Sequence, residues 1–182
     1  MTILIAGVAL WLVGHMSRRL LRTPRKMLGR LEAPLDIMAS ILAIALMIIG
    51  YRRAEIIPLW SLGGWAIWVN NLMMAAAVVL NIVPMTRNRL RERLRHPIMT
   101  GTMLWAGAHL LANGDVASVI LFLPLGLGAV GAVMAINSQD PVYTPWSGAT
   151  KKGDLMLVAL SVAVFAVIVW IHWLLGYWPL AL

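Results

Sequence analysis

The chain has 182 residues, of which 61% are hydrophobic and only 12% charged, and its mean hydropathy is +0.84. These values exclude an ordinary soluble protein and indicate an integral membrane protein whose length suits a single domain over residues 1–182. The net charge of +8 does not indicate nucleic acid binding, because the Lys and Arg residues cluster at the ends of apolar runs, where they meet membrane lipid.

Three membrane spans are predicted before residue 87. Residues 1–17 carry no charge and run into a basic stretch, so the first span lies there. A second, short span is predicted at about 37–51, between Asp36 and Arg52. The third lies within the uncharged run 56–86, whose tryptophans are typical of an interfacial aromatic belt.

The fourth predicted span is the one that combines polar and apolar residues. Residues 95–115 read RHPIMTGTMLWAGAHLLANGD, and Pro97 is suited to the first turn of a helix, where its missing N–H costs nothing. The spacing of three or four residues places one polar and aromatic set on a single face: Thr102, Trp105, His109 and Asn113. Small side chains at Gly101 and Ala108 form an adjacent stripe that lets a helix or a flat ligand approach.

A fifth span is predicted at 116–136 and a sixth at 155–175, which gives an all-α, polytopic transmembrane helix bundle of about six spans. Thirteen of the fifteen basic residues fall between spans one and two, in 87–95 or in the last loop. The positive-inside rule then places those segments in the cytoplasm and both termini on the outer, periplasmic side.

The histidines are the candidate site residues, because ionisable groups within a membrane are costly. A site role is favoured for His109, although a hydrogen bond between helices also explains it. His15 and His96 are equally compatible with an interfacial position, and His172 fits the aromatic belt better. Hydrolytic chemistry is not indicated, since no paired carboxylates, zinc spacing or phosphate loop occurs. The absence of cysteine excludes thiolate ligands, and no catalytic residue is identified.

Neutral imidazoles on facing helices commonly hold haem iron, and an apolar pocket with a stacking ring suits the porphyrin. His15 and His109 are therefore the candidate metal ligands, with a cytoplasmic cation set for the propionates: Arg18, Arg19 and Arg95. His96, Trp105 and Asn113 complete the candidate cofactor site. The rise along each helix argues against this pair of ligands. Counted from the predicted cytoplasmic face, His15 lies at a depth of about 5 Å and His109 at about 18 Å. Tilted helices, or a deeper first span whose arginines snorkel to the surface, would remove this difference in depth. The other alternative is His172 as the second ligand.

The segment RHPIMTGTMLWAGAHLLANGD resembles the signature of the NnrU family, as do Gly14-His15 and the closing segment around His172. Plant relatives in that family include a haem b membrane isomerase acting on a carotene. The resemblance implies haem b on His15 and His109 and a position in a bacterial inner membrane. It also implies either cis-trans isomerisation of an apolar polyene or a role in denitrification and nitric oxide metabolism, with no settled chemistry for the latter.

Two alternatives stay open at the level of sequence. One is a non-catalytic haem protein that senses nitric oxide or another small gas, or that assists a protein partner. The other rests on Arg95-His96-Pro97 with Gly101, which is similar to the RHPxYxG motif of isoprenylcysteine-type methyltransferases that bind S-adenosylmethionine. Met99 and Thr100 depart from the aromatic position of that motif, and no Glu-Glu pair follows.

Overall fold

The computed structural model describes residues 1–20 and 29–180, and within these ranges the chain is helical and forms no strand. An isolated antiparallel bridge joins Pro58 to Asp115. The predicted all-α architecture is confirmed. The α-helices of the described residues are α1 (Thr2–Leu20), α2 (Glu32–Arg52), α3 (Gly64–Ile82), α4 (Arg89–Arg93), α5 (Pro97–Ala112), α6 (Val116–Gln139) and α7 (Lys151–Leu174).

Local chemistry explains where several helices begin. Pro97 starts α5, as the sequence predicts. Asp115 caps α6 by accepting a hydrogen bond from Ser118 N at 2.9 Å, and Thr150 caps α7 by accepting one from Gly153 N at 3.0 Å. The fully buried Asn88 caps α4 through Arg91 N at 2.8 Å. Each cap satisfies a backbone N–H that has no partner within its own helix.

Among the described residues, four helical segments are long and apolar enough to cross a membrane. These segments contain α2, α3, α6 and α7. The apolar part of α1 and the 16-residue α5 are shorter. The second span is longer than predicted, because α2 begins at Glu32 and continues through Asp36. Acidic side chains in the first turns of a helix are favoured by its positive end, so the carboxylates do not stop the helix.

Neighbouring helices follow the spatial order α2, α1, α6, α5, α3, α7, and α5 packs against both α3 and α6. Small residues allow these contacts to be close. A Cβ on Gly101 would fall 3.0 Å from Ala77 O on α3, and a Cβ on Gly126 would fall 3.1 Å from Ala106 Cβ on α5. The small stripe of α5 is therefore covered by a helix at Gly101.

The bundle has two distinct ends. At the first, here called the Gly114 end, Leu59 N and Trp60 N both donate to Gly114 O, at 2.7 and 3.1 Å. The starts of α1, α3 and α6 and the ends of α2 and α5 meet there. At the opposite Arg87 end, Thr150 N donates to Arg87 O at 2.8 Å and Arg89 pairs with Asp154 at 2.7 Å. Successive long helices thus run in alternating directions between the two ends.

Gly50→Ala is expected to destabilise the bundle by about 1 to 3 kcal/mol, since the new methyl would fall 2.6 Å from Leu4 Cα on α1. Gly14→Ala on α1 is the matched control, because its Cβ would meet nothing within 4 Å and alanine favours a helix. Thermal melting in one detergent measures both variants. Equal melting temperatures would contradict the close crossing of α1 and α2.

Candidate functional site

The candidate site is built on α5, where His109 lies three residues before the end of the helix. Its Nδ1 is 2.9 Å from the carbonyl oxygen of Trp105, and Asn113 Nδ2 donates to the His109 carbonyl at 3.0 Å. A carbonyl oxygen only accepts, so Nδ1 carries the proton of the neutral ring. The lone pair is then on Nε2, the atom through which a neutral imidazole binds a metal.

Phe122 of α6 forms the aromatic contact of this histidine. Its ring stacks on the His109 imidazole with centroids 4.5 Å apart and planes at 27°, and it meets Trp105 edge-on at 5.0 Å. Phe122 is only 5% exposed. Helix α6 therefore fixes the imidazole from the side, while the Trp105 carbonyl fixes it along α5. Sequence reasoning missed Phe122, because a single phenylalanine in an apolar run gives no sign of its partner.

A hydrogen-bond chain lies next to Phe122 at the Gly114 end. Ser118 Oγ donates to Asp115 Oδ2 at 2.6 Å, which leaves the Tyr51 hydroxyl, 2.8 Å away, to donate to Ser118 Oγ. Ser118 is completely buried, and the Tyr51 ring meets Phe122 edge-on at 6.3 Å. The chain joins α2 to α6 with no polar atom of Ser118 left unpaired. The sequence does indicate one part of this chain, because an aspartate three residues before Ser118 is a helix-cap pattern.

His15 has the same local arrangement as His109. Its Nδ1 is 2.9 Å from Trp11 O, four residues earlier, and its ring stacks on Trp11 with centroids 4.0 Å apart. The two histidines lie at different levels of the bundle, however. Residues Leu12 and Met16 of α1 lie against Gly128 and Gly131 of α6. These positions follow Phe122 by six to nine residues, which is about 9 to 14 Å of helix rise.

His172 lies near the end of α7, on the side of the bundle where α5 also ends. Its Nδ1 is 2.8 Å from Ile168 O, so this ring too keeps its Nε2 lone pair when neutral. His109 and His172 thus lie towards the same end of the bundle, the Gly114 end.

The other predicted site residues are dispersed. Trp105 and Asn113 adjoin His109, whereas Arg95 and His96 lie at the Arg87 end, where His96 Nε2 is 2.8 Å from Asn137 Oδ1. Arg18 and Arg19 belong to the last turn of α1, and their side chains lie outside the described residues. Among those that are described, no three His, Asp or Glu side chains gather at one point.

The profile of the NnrU protein family matches residues 3–179, which is nearly the whole chain. No curated protein and no solved structure matches it.

Phe122→Ala is expected to destabilise the protein by about 3 to 5 kcal/mol, because it empties a buried ring position shared by α2, α5 and α6. Phe165→Ala on α7 is the control, since Phe165 is the other phenylalanine of the chain and is only half-buried. Thermal melting is again the measurement. A larger loss in Phe165→Ala would mean that the aromatic cluster around His109 does not hold the bundle together.

Proposed function

Because the chain belongs to the NnrU family, we propose that it is an integral membrane protein that binds haem b. The observation that carries this proposal is the hydrogen bond from His109 Nδ1 to Trp105 O. It leaves a basic Nε2 in aromatic, apolar surroundings, which is the donor type and environment of an axial haem ligand. Bound haem would supply an iron centre for electron exchange, and the chain itself would supply the imidazoles that hold it.

His109 is the first proposed ligand, and the choice of the second is between His15 and His172. The family resemblance favours His15, which has the same tryptophan four residues before it. Position along α6 argues against His15 and therefore favours His172. His15 lies beside Gly128 and Gly131, whereas His109 stacks on Phe122, which is nearer the start of α6. Both His109 and His172 lie near the ends of helices that finish at the Gly114 end. We therefore favour His109 with His172.

The proposed activity is a haem-dependent, isomerase-like reaction on an apolar polyene. A cavity of about 620 Å³ between α3 and α7 supports an apolar ligand. Its walls are almost wholly apolar and include the rings of Phe165, Trp170 and Trp173. Buried Ser161 also lines it, and its hydroxyl has no hydrogen-bond partner among the described residues. Apart from this hydroxyl, the lining suits a long apolar body such as that of a polyene.

The second candidate is a haem protein that senses nitric oxide or assists denitrification. Such a protein needs gas binding and a partner, and it has no need of an apolar cavity reached from the lipid. His172 immediately precedes Trp173, which lines that cavity. The proximity of the favoured ligand to the apolar cavity is the reason to rank the isomerase-like function first.

We further propose that all six long helices cross the bacterial inner membrane, with the Arg87 end in the cytoplasm and both termini in the periplasm. The alternating helix directions and the thirteen basic residues on one side support this orientation. Helix α5 spans about 24 Å, which is shorter than a bilayer core of about 30 Å. Its place between α3 and α6 shields it from lipid at both flanks.

The haem proposal is tested with histidine variants expressed with ample haem and purified in mild detergent. We expect a Soret band in the native protein, its loss in His109→Ala, and its loss or shift in His172→Ala. His96→Ala is the control, because His96 lies at the other end of α5 and its variant should keep the native spectrum. Loss in His15→Ala with retention in His172→Ala would restore the pairing of His15 with His109. An unchanged band in every variant would refute histidine ligation.

The topology is tested with reporter fusions after Ala54, Thr144 and Leu182. A reporter that is active only in the periplasm should work at Ala54 and Leu182 and fail at Thr144, and a cytoplasmic reporter should give the opposite pattern. The fusion at Thr144 serves as the internal control. Cytoplasmic readout at Leu182 together with cytoplasmic readout at Thr144 would exclude the crossing of α7.

A further inference from the structure

A second cavity, of about 340 Å³, lies at the Arg87 end, far from His109. It is open to the surface and is lined by α4, the start of α5, the end of α6 and the loop that follows α6. Its polar walls are cationic and aromatic: Arg91, Arg95, His96, Tyr143 and Trp146. Within the described chain, none of the residues that line it is an aspartate or a glutamate. We call it the Arg91–Arg95 cavity.

The positive charge of this cavity is incompletely neutralised. The Arg91 guanidinium lies 4.4 Å from the centre of the Trp146 ring and that of Arg95 lies 5.2 Å from the Tyr143 ring. Aromatic faces hold a cation without removing its charge. Asp140 is 3.8 Å from Arg95 but is 73% exposed, so its effect is weakened by water. Arg95 Nη2 also donates to the Asp140 carbonyl, which carries no charge.

Nearby carboxylates are engaged elsewhere. Glu92 accepts hydrogen bonds from Gly148 N and Ala149 N, at 3.0 and 2.9 Å. Asp154 accepts from Arg89, through both the backbone N–H and the guanidinium. These contacts tie the loop before α7 to α4 and hold Trp146 over Arg91. The loop therefore builds one wall of the cavity without bringing a carboxylate into it.

The start of α5 lies at the same cavity. The helix has no side-chain cap, and its first backbone hydrogen bond runs from Thr100 N to His96 O. The N–H groups of Ile98 and Met99 precede that bond, and both residues line the cavity. The helix dipole adds partial positive charge at this point. Two guanidinium groups together with such amides favour a phosphate, whose several oxygens accept bidentate hydrogen bonds.

Apolar side chains continue from the cavity towards the membrane. Ile98 and Met99 belong to α5 and Ile136 to α6, and all three line it. These positions are the ends of apolar helices, so the cavity lies at headgroup level. We propose that the Arg91–Arg95 cavity binds a phosphate ester, and specifically the phosphate of an anionic phospholipid of the inner leaflet. This site is separate from the haem proposal and stands without it.

The test uses thermal melting of the detergent-purified full chain with dihexanoyl-phosphatidylglycerol, and with glycerol 3-phosphate as the soluble phosphate ester. The lipid should raise the melting temperature of the native protein. Arg91→Gln and Arg95→Gln should each raise the apparent Kd about tenfold or more, the effect of losing a charge-assisted hydrogen bond. Arg93→Gln is the matched control, because Arg93 carries the same charge in the same segment but is exposed and does not line the cavity.

Arg95→Lys keeps the charge and guards against a folding defect, and it should give a smaller loss than Arg95→Gln because lysine has no bidentate fork. Equal weakening by Arg93→Gln would overturn the site in favour of general surface charge. An equal rise in melting temperature with glycerol 3-phosphate would overturn the lipid in favour of a soluble phosphate ester. Stabilisation by S-adenosylmethionine, lost in the same variants, would overturn the phosphate in favour of a methyl donor.

Discussion

Close packing of α5 between α3 and α6 is the constraint on which the rest of the bundle depends. Lipid is as apolar as the side chains, so burial alone does not bring membrane helices together, and contact through small residues replaces it. Gly101 meets the backbone of α3 at Ala77, and Ala106 meets Gly126 of α6. With both flanks fixed in this way, the remaining face of α5 holds Trp105 and His109 against Phe122.

The two ends of the bundle use different chemistry. At the Gly114 end, neutral backbone groups of the segment before α3 pair with Gly114, and the Tyr51 hydroxyl pairs with Ser118. At the Arg87 end, charged side chains pair with the loop before α7. This difference follows the sequence, in which the basic residues cluster between apolar runs. It also separates the proposed haem site from the proposed phosphate site.

Sequence patterns predicted what depends on neighbours along the chain. Pro97 marked the start of α5, and the rise along each helix predicted the unequal depths of His15 and His109 that the contacts of α6 reproduce. Contacts between distant segments were not predictable in this way. Tyr51 and Ser118 are 67 residues apart, and only the packing of α2 on α6 brings their hydroxyls together. The sequence does not reveal the start of α2 at Glu32, because the apolar run begins only after Asp36.

The rings of His15, His109 and His172 are each held by a carbonyl of the same helix, four residues earlier. This bond forms as soon as the helix does, since both partners belong to one turn. The tautomer of each neutral imidazole is therefore set within a single helix and does not depend on the neighbouring helices. Under the haem proposal, association of the helices then has only to bring two such imidazoles to the right separation.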